Sequence, residues 1–129
     1  MSMKKSLLAL ALTAVVATPA MAASMTLHQF VARGTALEKK GPMALFHRGE
    51  IKALQTEMLS AGKQVREERM AAEKAGRKPT YCPPAEGKGV KMGAQEVLKE
   101  LRLVAATQPK NATVADGWRA MLVKKFPCR

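Results

Sequence analysis

Acidic residues, aromatics, cysteines and histidines are all scarce in this chain, and each scarcity removes a class of function. Ten Asp and Glu stand against 22 Lys and Arg, and Asp116 is the single aspartate. Beyond residue 22 the only serines are Ser24 and Ser60. A triad of Ser60, His47 and Asp116 can be drawn, but no nucleophile-elbow sequence surrounds Ser60. Ser60 falls mid-helix, and Asp116 has a simpler use as a helix cap. The set of nucleophile, base and oxyanion donors cannot be filled, so the expectation is a non-enzyme.

The aromatics make up 4% of the chain. Phe30, Phe46, Tyr81, Trp118 and Phe126 are scattered, which reads as core rather than as stacking platforms for nucleic acid. Two histidines, His28 and His47, are a slender basis for pH sensing. His47 reads as a residue at the edge of the core and His28 as solvent-facing. Two cysteines 46 positions apart, without CxxC or clustered histidine, argue against a metal site and against a redox pair. The six methionines after residue 22 are too dispersed to converge on copper and read as core filler. No cofactor or metal is expected.

Long apolar runs are also missing, with one exception at the N-terminus. Lys4 and Lys5 precede an apolar run from Leu7 to Ala17, Pro19 breaks it, and Ala20-Met21-Ala22 supplies small residues. That is the build of a secretory signal, cut after Ala22. The run is shorter than the ~20 residues a membrane span needs. Residues 1–22 are thus expected to be a signal peptide and 23–129 a single helical domain of an exported, periplasmic or secreted protein without stable membrane insertion. An even cysteine count in a small exported domain reads as a disulfide, Cys82 to Cys128.

What the chain has in abundance is basic charge and helical periodicity. The net charge is +12, and +10 once Lys4 and Lys5 are set aside. Outside the cytoplasm this favours acidic proteins or anionic envelope polymers over nucleic acid. Thr26 and Gln29 match a capping box opening a first helix with Leu27, Phe30, Val31, Thr35 and Leu37 along one face. Gly41-Pro42 stops it and starts a short apolar turn of Met43, Leu45 and Phe46.

From residue 50 to 76, Ile51, Leu54, Met58, Ala61 and Val65 form one stripe of a long charged helix, whose far end should project into water. Residues 77–90 read as loop, on the strength of Pro79, Pro83, Pro84, Gly87 and Gly89. A third main helix is expected from about Lys91 to Gln108, with Ala94, Val97, Leu98, Leu101, Val104 and Ala105 inward. A last one opens at Thr113, with Asp116 as its capping-box partner, and runs to Phe126. No alternating strand pattern appears. The fold class is all-α, four to five helices, with residues 91–126 as a helix pair framed by the disulfide.

The stretch Gly87-Lys88-Gly89-Val90-Lys91 lies just before a helix N-terminus, where glycines and lysines can meet an anion. It lacks the Gly-Lys-Ser/Thr of a nucleotide loop. Binding residues favour loops on rigid scaffolds, so Pro83, Pro84, Lys88 and Lys91 are the candidate partner contacts.

Cys82-Pro83-Pro84, a Gly-rich loop, Gly93 with an amphipathic helix to Leu103, then Pro109, a last helix and Phe126-Pro127-Cys128 together resemble the C-terminal half of the Rap/Tai family. Its members are periplasmic immunity proteins that protect bacteria against cell-wall amidase toxins delivered by type VI secretion. They plug the toxin's active-site cleft with a loop. The resemblance covers residues 81–128; the first half, with no cysteine and a long basic helix, lies outside it. It implies an immunity-like protein that binds and inhibits a peptidoglycan amidase. Two other functions are carried beside it: a periplasmic acid-stress chaperone, similar in size, helicity and single disulfide to the Hde-type proteins, and a basic envelope protein binding anionic polymers.

Overall fold

A computed structural model describes residues 24–84 and 92–129. Among them lie α1 (Leu27–Lys39), a 3-10 turn (Gly41–Phe46), α2 (Arg48–Lys74), α3 (Ala94–Ala105) and α4 (Val114–Lys125). No strand forms among these residues; the one β contact is an isolated bridge between Thr26 and Thr113. The all-α class with a single disulfide is therefore found as the periodicity and cysteine count anticipated.

Both expected capping boxes are present. The Thr26 hydroxyl accepts the Gln29 amide and the Gln29 side chain accepts the Thr26 amide; Thr113 and Asp116 do the same for α4. Each satisfies two backbone donors that would otherwise face an empty helix end. The two caps also sit side by side. The Leu27 N–H donates to the Ala112 carbonyl at 2.8 Å, which ties the start of α1 to the start of α4.

α2, with 27 residues, spans roughly 40 Å. It stops at Gly76, whose φ of +72° is the left-handed conformation that side chains resist. The Arg77 N–H then reaches back to the Ala72 carbonyl at 2.8 Å and the Gly76 N–H to Glu73 at 3.0 Å, a Schellman ending. The third main helix begins at Ala94 and ends at Ala105, shorter at both ends than the expected 91–108, and Thr107 closes it by donating its hydroxyl to the Val104 carbonyl.

The core is Leu27, Phe30, Leu54, Ala61, Val65, Tyr81, Leu101, Val104, Ala105, Ala112, Val114, Ala115, Met121 and Leu122. α2 packs chiefly on α4 and α1 chiefly on α3, with α4 also touching α1 and α3. At Gly117 the Leu27 side chain comes so close that an added Cβ would meet its Cδ1 at 2.5 Å. Only glycine lets α4 approach the root of α1 there.

Three expectations about the core change. Ala94 is exposed rather than inward. Of the methionines, Met121 is core, but Met43 and Met70 are exposed. The far end of α2 faces water on most sides, as expected, but not on all: residues 77–80 cross one side of it, Tyr81 is buried, and Arg69 lies 5.7 Å over its ring. That stacking offers a cationic side chain an aromatic face in place of water.

Candidate binding groove

The expected disulfide is formed, Cys82 to Cys128, with a Cα–Cα distance of 4.9 Å inside the range such bonds require. A backbone bond from the Cys82 N–H to the Phe126 carbonyl, 2.8 Å, doubles the staple. Pro83 and Pro84, just beyond it, are half-buried. Lys88 and Lys91 lie outside the described residues, as do residues 1–22, where a signal peptide is expected. The two prolines are therefore the placed part of the predicted contact loop.

No catalytic relay is assembled from Ser60, His47 and Asp116. Both Asp116 oxygens are engaged, one by the Thr113 N–H at 2.9 Å and the other by Arg119 at 2.9 Å. Ser60 and His47 are exposed on α2 and at its cap. His47 stands clear of the core, against the expectation of a core-edge residue, with Lys40 Nζ 3.4 Å from its ring. His28 is half-buried rather than solvent-facing, 3.4 Å from the Gln108 carbonyl. Among the described residues no group of three His, Cys, Asp or Glu could hold a metal ion.

One concavity among the described residues was marked by no sequence motif. α1, the 3-10 turn, the first half of α2 and the start of α3 surround a groove of about 640 Å³. Phe30, Leu37, Ile51, Leu54, Met58 and Leu98 form its apolar floor and walls. It exists because α2 leans on α4 and α1 on α3, so the Ile51–Met58 stretch stands off the Val97–Leu98 face. Glu38, Gln55 and Gln95 are its polar edge. Glu38 is paired with Arg102 at 2.6 Å, which leaves little net charge on that rim.

Beside the groove, Met43, Leu45 and Phe46 point outward, exposed by 60%, 71% and 81%. The expectation that Phe46 and Met43 belong to the core is overturned. A six-residue 3-10 turn presents three sides, and its residues that line the groove are the small Gly41 and Ala44. The sequence shows here only an apolar triplet too short to make a helix face, set between Lys39-Lys40 and Arg48.

Charge pairs tie α2 to its neighbours. Arg33 grips Glu50 through two nitrogens, joining α1 to α2, and this bond holds the Glu50 carboxyl below its usual range. Arg119 of α4 holds Glu68 of α2 at 2.8 and 2.9 Å and lowers that carboxyl in the same way. Asp116 is lowered first by the Thr113 backbone N–H, then by Arg119. A second, smaller cleft of about 210 Å³ lies where residues 77–80 cross α2, lined by Arg69, Arg77, Lys78 and Arg119. Arg69 and Arg119 are already paired there with Glu73 and with Glu68 and Asp116.

No helix among the described residues is long and apolar enough to cross a membrane. Compared with protein-family models, with curated proteins and with solved structures, the chain matches none.

Proposed function

We propose that this protein is exported, cut after Ala22, and works by binding rather than by catalysis, holding an apolar segment of a protein partner in the groove between α1, α2 and α3. The observation that carries this is the groove itself. It is an open concavity of about 640 Å³ with a mainly apolar lining, in a chain with a net charge of +12. The Cys82–Cys128 disulfide supports an oxidising compartment.

The specific form we propose is immunity: inhibition of a peptidoglycan amidase, as the Cys82–Cys128 frame around α3 and α4 suggests. A basic inhibitor suits a toxin with an acidic cleft, since opposite potentials steer and select the partner. Pro83 and Pro84, with Lys88 and Lys91, are proposed as the second contact.

A second reading, the acid-stress chaperone, is favoured by the placement of the lowered carboxylates. Glu50 and Glu68 join α2 to α1 and to α4 through Arg33 and Arg119, so acid acts on the joints that set α2 against its neighbours. The experiment that separates the two is a pull-down of the exported, oxidised protein against periplasmic and secreted extracts at neutral pH and near pH ~3. One wall hydrolase retained at neutral pH, and retained about tenfold less by Ile51→Glu, supports the inhibitor. Many unrelated proteins held only in acid support the chaperone. No retained protein at either pH overturns both.

A further inference from the structure

The apolar turn beside the groove is a different kind of surface from the groove. It is convex, and its triplet of Met43, Leu45 and Phe46 faces outward. The remaining large apolar side chains exposed among the described residues, Leu59, Met70, Leu103 and Val123, are distributed over three helices. Only at the turn do three fall within four positions. Pro42 in its first turn and the backbone bonds from Met43 to Lys40 and from His47 to Ala44 fix its shape. The side chains are thus presented on a formed turn and need little ordering to be used.

Charge decides what covers them. Lys39, Lys40, Arg48 and Lys52 flank the turn, all exposed and none in an ion pair among the described residues. The nearby carboxylates are already used, Glu38 by Arg102 and Glu50 by Arg33. An apolar tip ringed by unpaired cations matches a surface that is negative outside and hydrocarbon beneath. A protein hot spot is more often a dry pocket with charges excluded from its centre. A lipid surface rewards both features at once: the cations meet headgroups while Leu and Phe enter the acyl boundary.

We propose that the Gly41–Phe46 turn is a peripheral docking tip for an anionic lipid bilayer, with Met43, Leu45 and Phe46 entering the headgroup boundary and Lys39, Lys40, Arg48 and Lys52 meeting lipid phosphates. The tip docks without spanning. It orients the molecule so that the groove, which shares Gly41 and Ala44 with the turn, opens beside the lipid surface. The inference stands apart from the partner reading, because it uses none of the residues that form the groove floor.

The test is co-sedimentation of the exported, oxidised protein with vesicles of phosphatidylcholine alone or mixed with phosphatidylglycerol. Wild type is expected to bind the mixed vesicles and not the neutral ones, and to be released at ~0.5 M salt. Leu45→Ser with Phe46→Ser is expected to lower binding about tenfold, as is Lys39→Glu with Lys40→Glu and Arg48→Glu. Circular dichroism checks that each variant keeps its helices. Because the one native tryptophan, Trp118, is on α4, a Phe46→Trp variant reports the tip separately. Its emission should shift to the blue on mixed vesicles. Equal binding to both vesicle types overturns the proposal. So does binding unchanged by the serine pair, no vesicle binding at all, or an unshifted Phe46→Trp emission.

Discussion

Single side chains in this protein carry sharply unequal shares of its stability, and two positions illustrate why. At Gly117 the space a methyl group would need is filled by the buried Leu27. Gly117→Ala is expected to destabilise the fold by about 1–3 kcal/mol, because neither α4 nor the root of α1 can move away cheaply. At Gly34 an added Cβ would meet Leu98 Cδ1 at 2.8 Å, but Leu98 is only half-buried and borders the groove. Gly34→Ala should therefore cost less than Gly117→Ala, as Leu98 can turn into the open space. Urea denaturation midpoints of the two variants check the order. Thr113→Ala removes one half of a capping box and is expected to cost about 1 kcal/mol by the same measurement.

At the scale of the element, the joints between helices are ionic and respond to acid. The folded pKa values of Glu50, Glu68 and Asp116 lie below their ordinary ones. Their contribution to stability is complete above the ordinary carboxylate range and is lost as pH falls through the lowered folded values, that is, below about pH 4. Stability measured from pH 7 to pH 3 should fall at the acid end. Arg119→Met should flatten that fall, since Glu68 then returns toward its usual value. It should not abolish it, because the Thr113 N–H still holds Asp116 and Arg33 still holds Glu50. The 3-10 turn behaves oppositely. Leu45→Ser with Phe46→Ser removes exposed apolar surface only, so the denaturation midpoint is expected to stay within about 0.5 kcal/mol of wild type.

For the molecule as a whole, the disulfide is the largest single constraint. It closes residues 82 to 128 into a loop that contains both α3 and α4, so half of the core is held by it. Chain-entropy arguments put its effect at about 4 kcal/mol. Against the 5–15 kcal/mol typical of a domain, reduction should lower the melting temperature steeply or unfold the chain. Thermal unfolding with and without reductant measures it, and thiol counting on the oxidised protein should find no free cysteine. The whole molecule also carries the functional asymmetry. One face offers the groove and the basic apolar tip, while the opposite end of α2 is closed by Tyr81 and the Arg119 pairs.

Much of this was legible in the residues themselves. Thr26 with Gln29, Thr113 with Asp116, the apolar stripe from Leu54 to Val65 and the pair Cys82 and Cys128 determined the helices, their starts and the closure. These features act over a few residues, or, for the disulfide, follow from there being only two thiols. Which surfaces stay open was decided by the tertiary structure alone. Met43, Leu45 and Phe46 are as apolar as Leu54 and Val65, yet they end outside because α2 leans on α4 and leaves no layer above the turn. Tyr81 reads as core from the sequence and is core, but what it packs on was decided by the Schellman ending at Gly76, which turns the chain back along α2, where Arg69 lies over the ring. Periodicity states which residues prefer burial. Only the packing of helices against one another determines how many of them obtain it, and the surplus left at the surface is where this protein has room to bind.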